Sequence, residues 1–258
     1  MPSIGSSRRN TVSTSMTTSL TKILIPIDVS KPVSTDGTIV ETLSDTNIVL
    51  LGYWPIPDQT GSDQAREQFG TDAEERLQTV ANQLTDRGID VQTRLVFTQN
   101  RNQMIDEAVN LYDCQSVLVP RSDTASEPVE RGIVLVKPNA DLDRIAVTVG
   151  ELFAESDVDL LLFHVVEREN KRLHDATEYM LRGLAARLSE LGINQDKIEW
   201  EQSTDKPHHD VILERVSDFD FVVLSETNPT IRERVFGNLQ SKLADKTDKS
   251  LLTIRTQN

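Results

Sequence analysis

Residues 77–89, LQTVANQLTDRGI, match residues 181–193, LRGLAARLSELGI, without a gap, and share Leu, Ala, Leu, Gly and Ile. Leu77, Val80, Ala81 and Leu84 recur at helical spacing, as do Leu181, Leu184, Ala185 and Leu188. An apolar stripe of that period belongs to a helix laid on a core. Gly88 and Gly192 then stand where such a helix stops, at the left-handed position that a β-carbon strains. Two amphipathic helices with glycine stops predict an internal repeat of about 105–110 residues, too long for a solenoid unit and suited to a small domain.

The surroundings repeat in the same order. KILIPID (22–28) and NIVLLGYW (47–54) precede the first helix, and VQTRLVF (91–97), a helix near 104–112 and SVLVP (116–120) follow it. The second half reads GIVLVK (132–137), a helix at 142–155, VDLLLFHVV (158–166), the long helix from about 169, KIEWEQ (197–202), a helix at 209–216 and FDFVVL (219–224). Unbroken Val/Ile/Leu runs separated by helices signal parallel strands covered on both faces. The predicted fold class is α/β: two tandem, doubly wound, Rossmann-like parallel-sheet units at 21–121 and 131–258. They are joined by a polar linker at 122–130 and preceded by a disordered Ser/Thr-rich tail at 1–20. After SVLVP the first unit lacks the last helix and strand, which the second supplies with SLLTIR (250–255).

The formal charge of −14 and pI near 4.7 argue against a nucleic-acid or anionic-membrane partner, because such surfaces demand a basic footprint. Arginine outnumbers lysine two to one while carboxylates dominate, which suits either a protein kept soluble in concentrated salt or an ordinary acidic one. The single cysteine, Cys114, excludes an internal disulfide and reads as a buried, inert thiol. No apolar run has membrane-spanning length, and Arg8-Arg9 is followed by no apolar signal region, so a cytoplasmic location is expected.

The segment NPTIRERVFGNLQSKL (228–243) lies between the apolar runs FDFVVL and SLLTIR, with one glycine, Gly237. With ILIPIDVS (23–30), KPHHDVILERV (206–216) and VFGNLQSKLADKTDKSLLTIR (235–255), it resembles the universal stress protein family. The resemblance implies a fold like that of the adenine nucleotide alpha hydrolases. It also implies an adenine-facing aspartate at Asp28 and a glycine-rich loop that wraps ATP phosphates and ends at Gly237. The departures bear on that loop. Its early glycines fall on Leu224 or Ser225 and on Thr227, a further one on Thr230, and Asn238 stands where Ser or Thr is usual. The aspartate position of the second unit falls on Pro138 or Asn139. Phosphate cradles use glycine so that the backbone can turn sharply and bring its N–H groups close to the anion. Neither unit has a complete set. Asp28, Asn139, Ser225, Thr227, Gly237 and Asn238 are the candidate nucleotide contacts, with no firm cofactor and ATP or AMP as the ligands to consider.

Other chemistry has less support. His208-His209-Asp210 is better read as a helix start than a metal site, since adjacent helical residues point about 100° apart. His164, at a strand end, is better read as a satisfied, partly buried residue than as an adenine contact. Arg232 and Arg234 suit a solvated helix face, and Trp54 and Trp200 read as packing aromatics. No nucleophile elbow, Walker loop or paired carboxylate frame is present, so catalysis is not expected. The sequence favours a regulatory or interaction module with reduced or lost nucleotide binding, for which a regulatory protein is the partner to consider. The alternative is an ATP- or AMP-binding protein that signals ligand state to a partner, and a nucleotide-transferring enzyme ranks third. SLLTIR, short and apolar, is expected to be an edge strand through which a homodimer forms.

Overall fold

Branched aliphatic residues in short runs favour the extended backbone and bury both faces of a strand, and seven such segments, flanked by two more polar ones, form the sheet among the described residues. The computed structural model describes residues 21–32, 43, 46–120, 129–137, 140–166, 171–204, 208–225, 243 and 249–255. The first half comprises β1 (Lys22–Asp28), β2 (Asn47–Pro55), α1 (Ser62–Asp86), β3 (Asp90–Thr98), α2 (Arg101–Tyr112) and β4 (Ser116–Val119). The second comprises β5 (Arg131–Leu135), α3 (Leu142–Phe153), β6 (Asp159–Val165), α4 (Lys171–Glu190), β7 (Ile198–Ser203), α5 (His208–Val216), β8 (Phe221–Ser225) and β9 (Ser250–Ile254).

The strands join one nine-stranded sheet in the order β3-β2-β1-β4-β9-β8-β5-β6-β7. Every neighbouring pair is parallel except β4 with β9, which is antiparallel. Strands of the first half therefore point opposite to those of the second. The order 3-2-1-4 in one half is repeated as 7-6-5-8 in the other, with β9 between them.

This arrangement corrects the expectation for residues 250–255. The C-terminal strand is the fifth of nine, paired with β8 on one side and β4 on the other, so a homodimer cannot form through its edge. The physical reason is the shortness of the first half. Between β4 and β5 the described residues hold no helix or strand, so the outer edge of β4 stays open. β9 fills it and buries Leu251, Leu252 and Ile254. The edges are instead β3 and β7, which carry charged residues such as Asp90, Arg94, Glu199 and Glu201, a common guard against edge-to-edge pairing.

Helices α1, α3 and α4 cover one face, over a core that includes Leu77, Val149, Phe153, Leu184, Phe221 and Leu252. On the other face α2 and α5 cover two smaller clusters, around Leu24, Leu51 and Met104 and around Leu135, Phe163 and Phe219. The two repeated helices end alike. Gly88 has φ of 85° and Gly192 φ of 103°. Each glycine N–H bonds the carbonyl three residues back, to Thr85 and Ser189, while Ile89 and Ile193 bond Leu84 and Leu188. Both are the paired 5→2 and 6→1 bonds of a Schellman stop. Trp54 packs as expected, stacked on Phe69 at 4.8 Å between ring centroids. Trp200 differs: it lies on the edge strand β7, 38% exposed, with the Arg182 guanidinium 5.2 Å from its ring.

Candidate functional site

In an open α/β sheet, ligands bind beyond the carboxyl ends of the strands where the strand order reverses. Here the order reverses between β1 and β4 and again between β5 and β8. Since the two halves run in opposite directions, the two crevices open at opposite ends of the sheet. Asp28 closes β1 and Ser225 closes β8, so these two candidate residues are not brought together. Each belongs to its own crevice.

In the first crevice the Asp28 carboxylate is turned onto its own chain. Its Oδ1 accepts from the Ser30 N–H at 3.0 Å and from the Ser30 hydroxyl at 2.6 Å. Its Oδ2 lies 3.8 Å from the Lys31 ammonium. This is an Asx-type turn, the usual local use of an aspartate two residues before a serine. The following backbone is fixed as well: the Val29 N–H donates to the Tyr53 carbonyl at 3.0 Å, and Arg76 of α1 donates to the Val29 carbonyl at 2.9 Å. The same guanidinium sits 5.7 Å from the Trp54 ring. Sequence reasoning named Asp28 but missed Ser30, Lys31 and Arg76; the DVSK turn pattern was the available signal for the first two.

In the second crevice β5 continues through Val136, whose N–H donates to the Phe163 carbonyl at 2.9 Å. The Nδ1 of His164 lies 2.7 Å from the Val136 carbonyl. A carbonyl only accepts, so Nδ1 carries the proton and the imidazole ties β6 to the end of β5. His164 is buried, which is the satisfied role read for it from sequence. Beyond, Asp141 caps α3 by accepting from the Arg144 N–H at 3.1 Å. Ser225 is 4% exposed, and its hydroxyl has no hydrogen-bond partner among the described residues. Asn139, Thr227, Gly237 and Asn238, together with Thr230, Arg232 and Arg234, lie outside the described residues. His208 and His209 open α5, as the helix-start reading requires.

The remaining groups offer little for chemistry. Cys114 is buried, and desolvation, the largest influence on it, pushes its thiol from 9.0 up to about 11. A groove of about 150 Å³ lined by Arg131, Asp159, Lys197, Glu199 and Phe219 lies at the amino ends of β5 to β7, away from both crevices. Its Lys197 bridges Asp157 at 3.1 Å and Asp159 at 3.0 Å, and these bonds, that to Asp159 foremost, hold the ammonium charged above its usual range. Among the described residues no three His, Cys, Asp or Glu side chains are placed to hold a metal ion, and no helix is long and apolar enough to cross a membrane.

A universal stress protein from Archaeoglobus fulgidus DSM 4304 superposes on this chain with a TM-score of 0.64 at 16% identity, covering 92% of this chain and 97% of the other. The fold is that of the universal stress proteins. A functionally unknown protein, PA1789 from Pseudomonas aeruginosa PAO1, covers 92% of this chain and 93% of its own with a TM-score of 0.50 at 13% identity. A universal stress protein in complex with cAMP matches 50% of this chain with a TM-score of 0.39 at 16% identity. No protein-family model and no curated protein sequence matches the chain. At these identities the likeness is one of fold, and a fold does not carry its ligand with it.

Proposed function

We propose that the protein is a universal-stress-type regulatory or interaction module in which nucleotide binding is reduced or lost. Its two tandem units, 21–121 and 131–258, are joined by the linker at 122–130. The observation that carries this reading is the state of Asp28. A carboxylate whose Oδ1 accepts both bonds from Ser30 is held in a local turn with Oδ2 facing Lys31, so a base amine would have to compete with that ammonium for Oδ2 or displace Ser30 from Oδ1. The sequence adds to this. By the family resemblance, side chains at Leu224 or Ser225, at Thr227 and at Thr230 stand where a phosphate loop has glycine, and Pro138 or Asn139 of the second unit stands where the first has its aspartate.

The role is binding and not catalysis. The Cys114 thiol, buried and pushed up to about 11 by desolvation, is moved away from reactivity as a nucleophile. A partner would be a protein recognised through the surface of the sheet's helical layers, in the cytoplasm, with no nucleic acid or membrane in the complex.

One observation favours the second reading, an ATP- or AMP-binding protein that signals to a partner. The Ser225 hydroxyl, buried at the mouth of the second crevice and without a partner among the described residues, is a donor that a ligand oxygen would satisfy. Extraction of freshly purified protein in acid, followed by chromatography of the supernatant, separates the two. The main reading expects less than about one nucleotide per ten chains, whereas stoichiometric ATP or AMP would establish the second.

A further inference from the structure

Among the described residues the two halves share hydrogen-bonded strands only where β4 meets β9, and off the strands the Thr21 N–H donates to the Glu151 carboxylate at 2.9 Å. That seam has four residue pairs, Ser116 to Val119 against Ile254 to Leu251, and is the sheet's single antiparallel contact. At one end of it lies Arg255, 5% exposed. Its backbone N–H donates to the Gln115 carbonyl at 2.9 Å, and its guanidinium lies 3.6 Å from Asp106 of α2, both in the first half. Its carbonyl accepts from Arg144 of α3, in the second half, at 2.7 Å. Gln115 is anchored in turn, its amide oxygen accepting from the Lys22 N–H at 2.7 Å and its own N–H donating to the Lys22 carbonyl at 2.9 Å. One residue thus holds both halves.

A second observation concerns what the closed seam withholds from water. Ile23, Ser116, Ile254 and Ser225 form one row across β1, β4, β9 and β8. Residues directly opposite in a sheet share a face, so the two serines flank Ile254 on the same side. Both hydroxyls are buried, and neither has a hydrogen-bond partner among the described residues. A buried hydroxyl without a partner disfavours the state that buries it. Parting β4 from β9 would divide the core cluster that the two halves share and let water reach Ser116, while each half keeps its own parallel pairings and helices.

We propose that the β4–β9 seam is a built-in opening line, latched by Arg255, along which the two halves part as intact units. Arg255 acts as a positioning residue, and the open form is a minor state of the free protein. This inference does not depend on whether either crevice binds a nucleotide.

The test is amide hydrogen exchange read by mass spectrometry on the full chain, comparing wild type with Arg255→Gln, Asp106→Asn and the charge-swapped pair Asp106→Arg with Arg255→Asp. Exchange in segments of β4 and β9 should rise about tenfold or more in Arg255→Gln, while β2 and β6 stay within about twofold, the pattern of a sub-global opening. The swapped pair should recover most of the lost protection. Ser116→Ala should act in the opposite sense and slow exchange at the seam. If Arg255→Gln does not fold, Asp106→Asn, which alters a half-exposed residue, must give the same selective rise. Unchanged seam exchange, or a rise shared equally by β2 and β6, overturns the proposal.

Discussion

Leu252→Ala probes the position of β9 more sharply than any other single change. Leu252 is fully buried at the middle of the strand, in register with Val223 of β8 and Leu118 of β4, so it packs against both halves at once. Truncating a leucine in such a site removes its transfer free energy and leaves a cavity that neighbouring strands cannot close, at a cost of about 3–4 kcal/mol. On a free edge strand the same change would cost about 1 kcal/mol or less. With a urea slope of about 3 kcal/mol per molar for a chain of this size, the midpoint should fall by about 1 M. The two tryptophans report separately, since Trp54 is in β2 of the first half and Trp200 in β7 of the second. Single-tryptophan variants, Trp200→Phe and Trp54→Phe, read by fluorescence through a urea series should show both transitions moving to lower urea. A shift confined to Trp200, with Trp54 unmoved, would mean that β9 contributes nothing to the first half and would refute the reasoning.

Gly192→Ala forces a β-carbon onto a backbone with φ of 103° and within 3.4 Å of Ala154 Cβ, and should lose about 1–2 kcal/mol in thermal or urea melts. Gly183→Ala, on a helical position with nothing within 4 Å of the added carbon, should gain about 0.5–1 kcal/mol in the same assay. Because Cys114 titrates near 11 instead of near 9, the unfolded chain loses its thiol proton first as pH rises. The stability contributed by the buried thiol is thus complete below pH 9 and disappears toward about pH 11, and Cys114→Ala should flatten that part of the pH profile of the melting midpoint. For the same reason iodoacetamide at pH 8 should alkylate the native thiol about a hundredfold more slowly than the unfolded one. With a net charge of −14, repulsion among carboxylates should be relieved by salt, so unfolding midpoints should climb with KCl; a flat response to molar salt would mark an ordinary acidic protein.

The α/β fold was legible because its signals are local. The 3.6-residue stripes of LQTVANQL and LRGLAARL, the glycine after each, and the Val/Ile/Leu runs between them each specify an element without reference to the rest. The place of β9 was not legible. SLLTIR reads identically as an edge strand or an interior one, because periodicity reports that both faces are buried and not which strands flank it. What decided the matter was the second edge of β4, which no other described strand of the first half occupies. The candidate site divides in the same way. His164 was readable as a satisfied strand-end residue, and the turn that engages Asp28 is written in DVSK. Ser225 could be placed at the end of β8, yet its unpartnered hydroxyl depends on neighbours contributed by other strands. The opposed directions of the two crevices likewise follow from one antiparallel pairing between residues more than a hundred positions apart.

Calorimetric titration with MgATP tests most directly the proposal that the nucleotide cradle has been filled in. Losing two or three charge-assisted backbone hydrogen bonds, at about 1.5–3 kcal/mol each, would weaken a micromolar site to about 0.1 mM or worse. The wild type should therefore show no saturable heat below about 0.1 mM ATP, and no hydrolysis should accompany it. The triple variant Ser225→Gly, Thr227→Gly and Thr230→Gly should bind measurably better, with Gly237→Ala as the control. Micromolar ATP binding by the wild type that is abolished by Gly237→Ala would contradict the account.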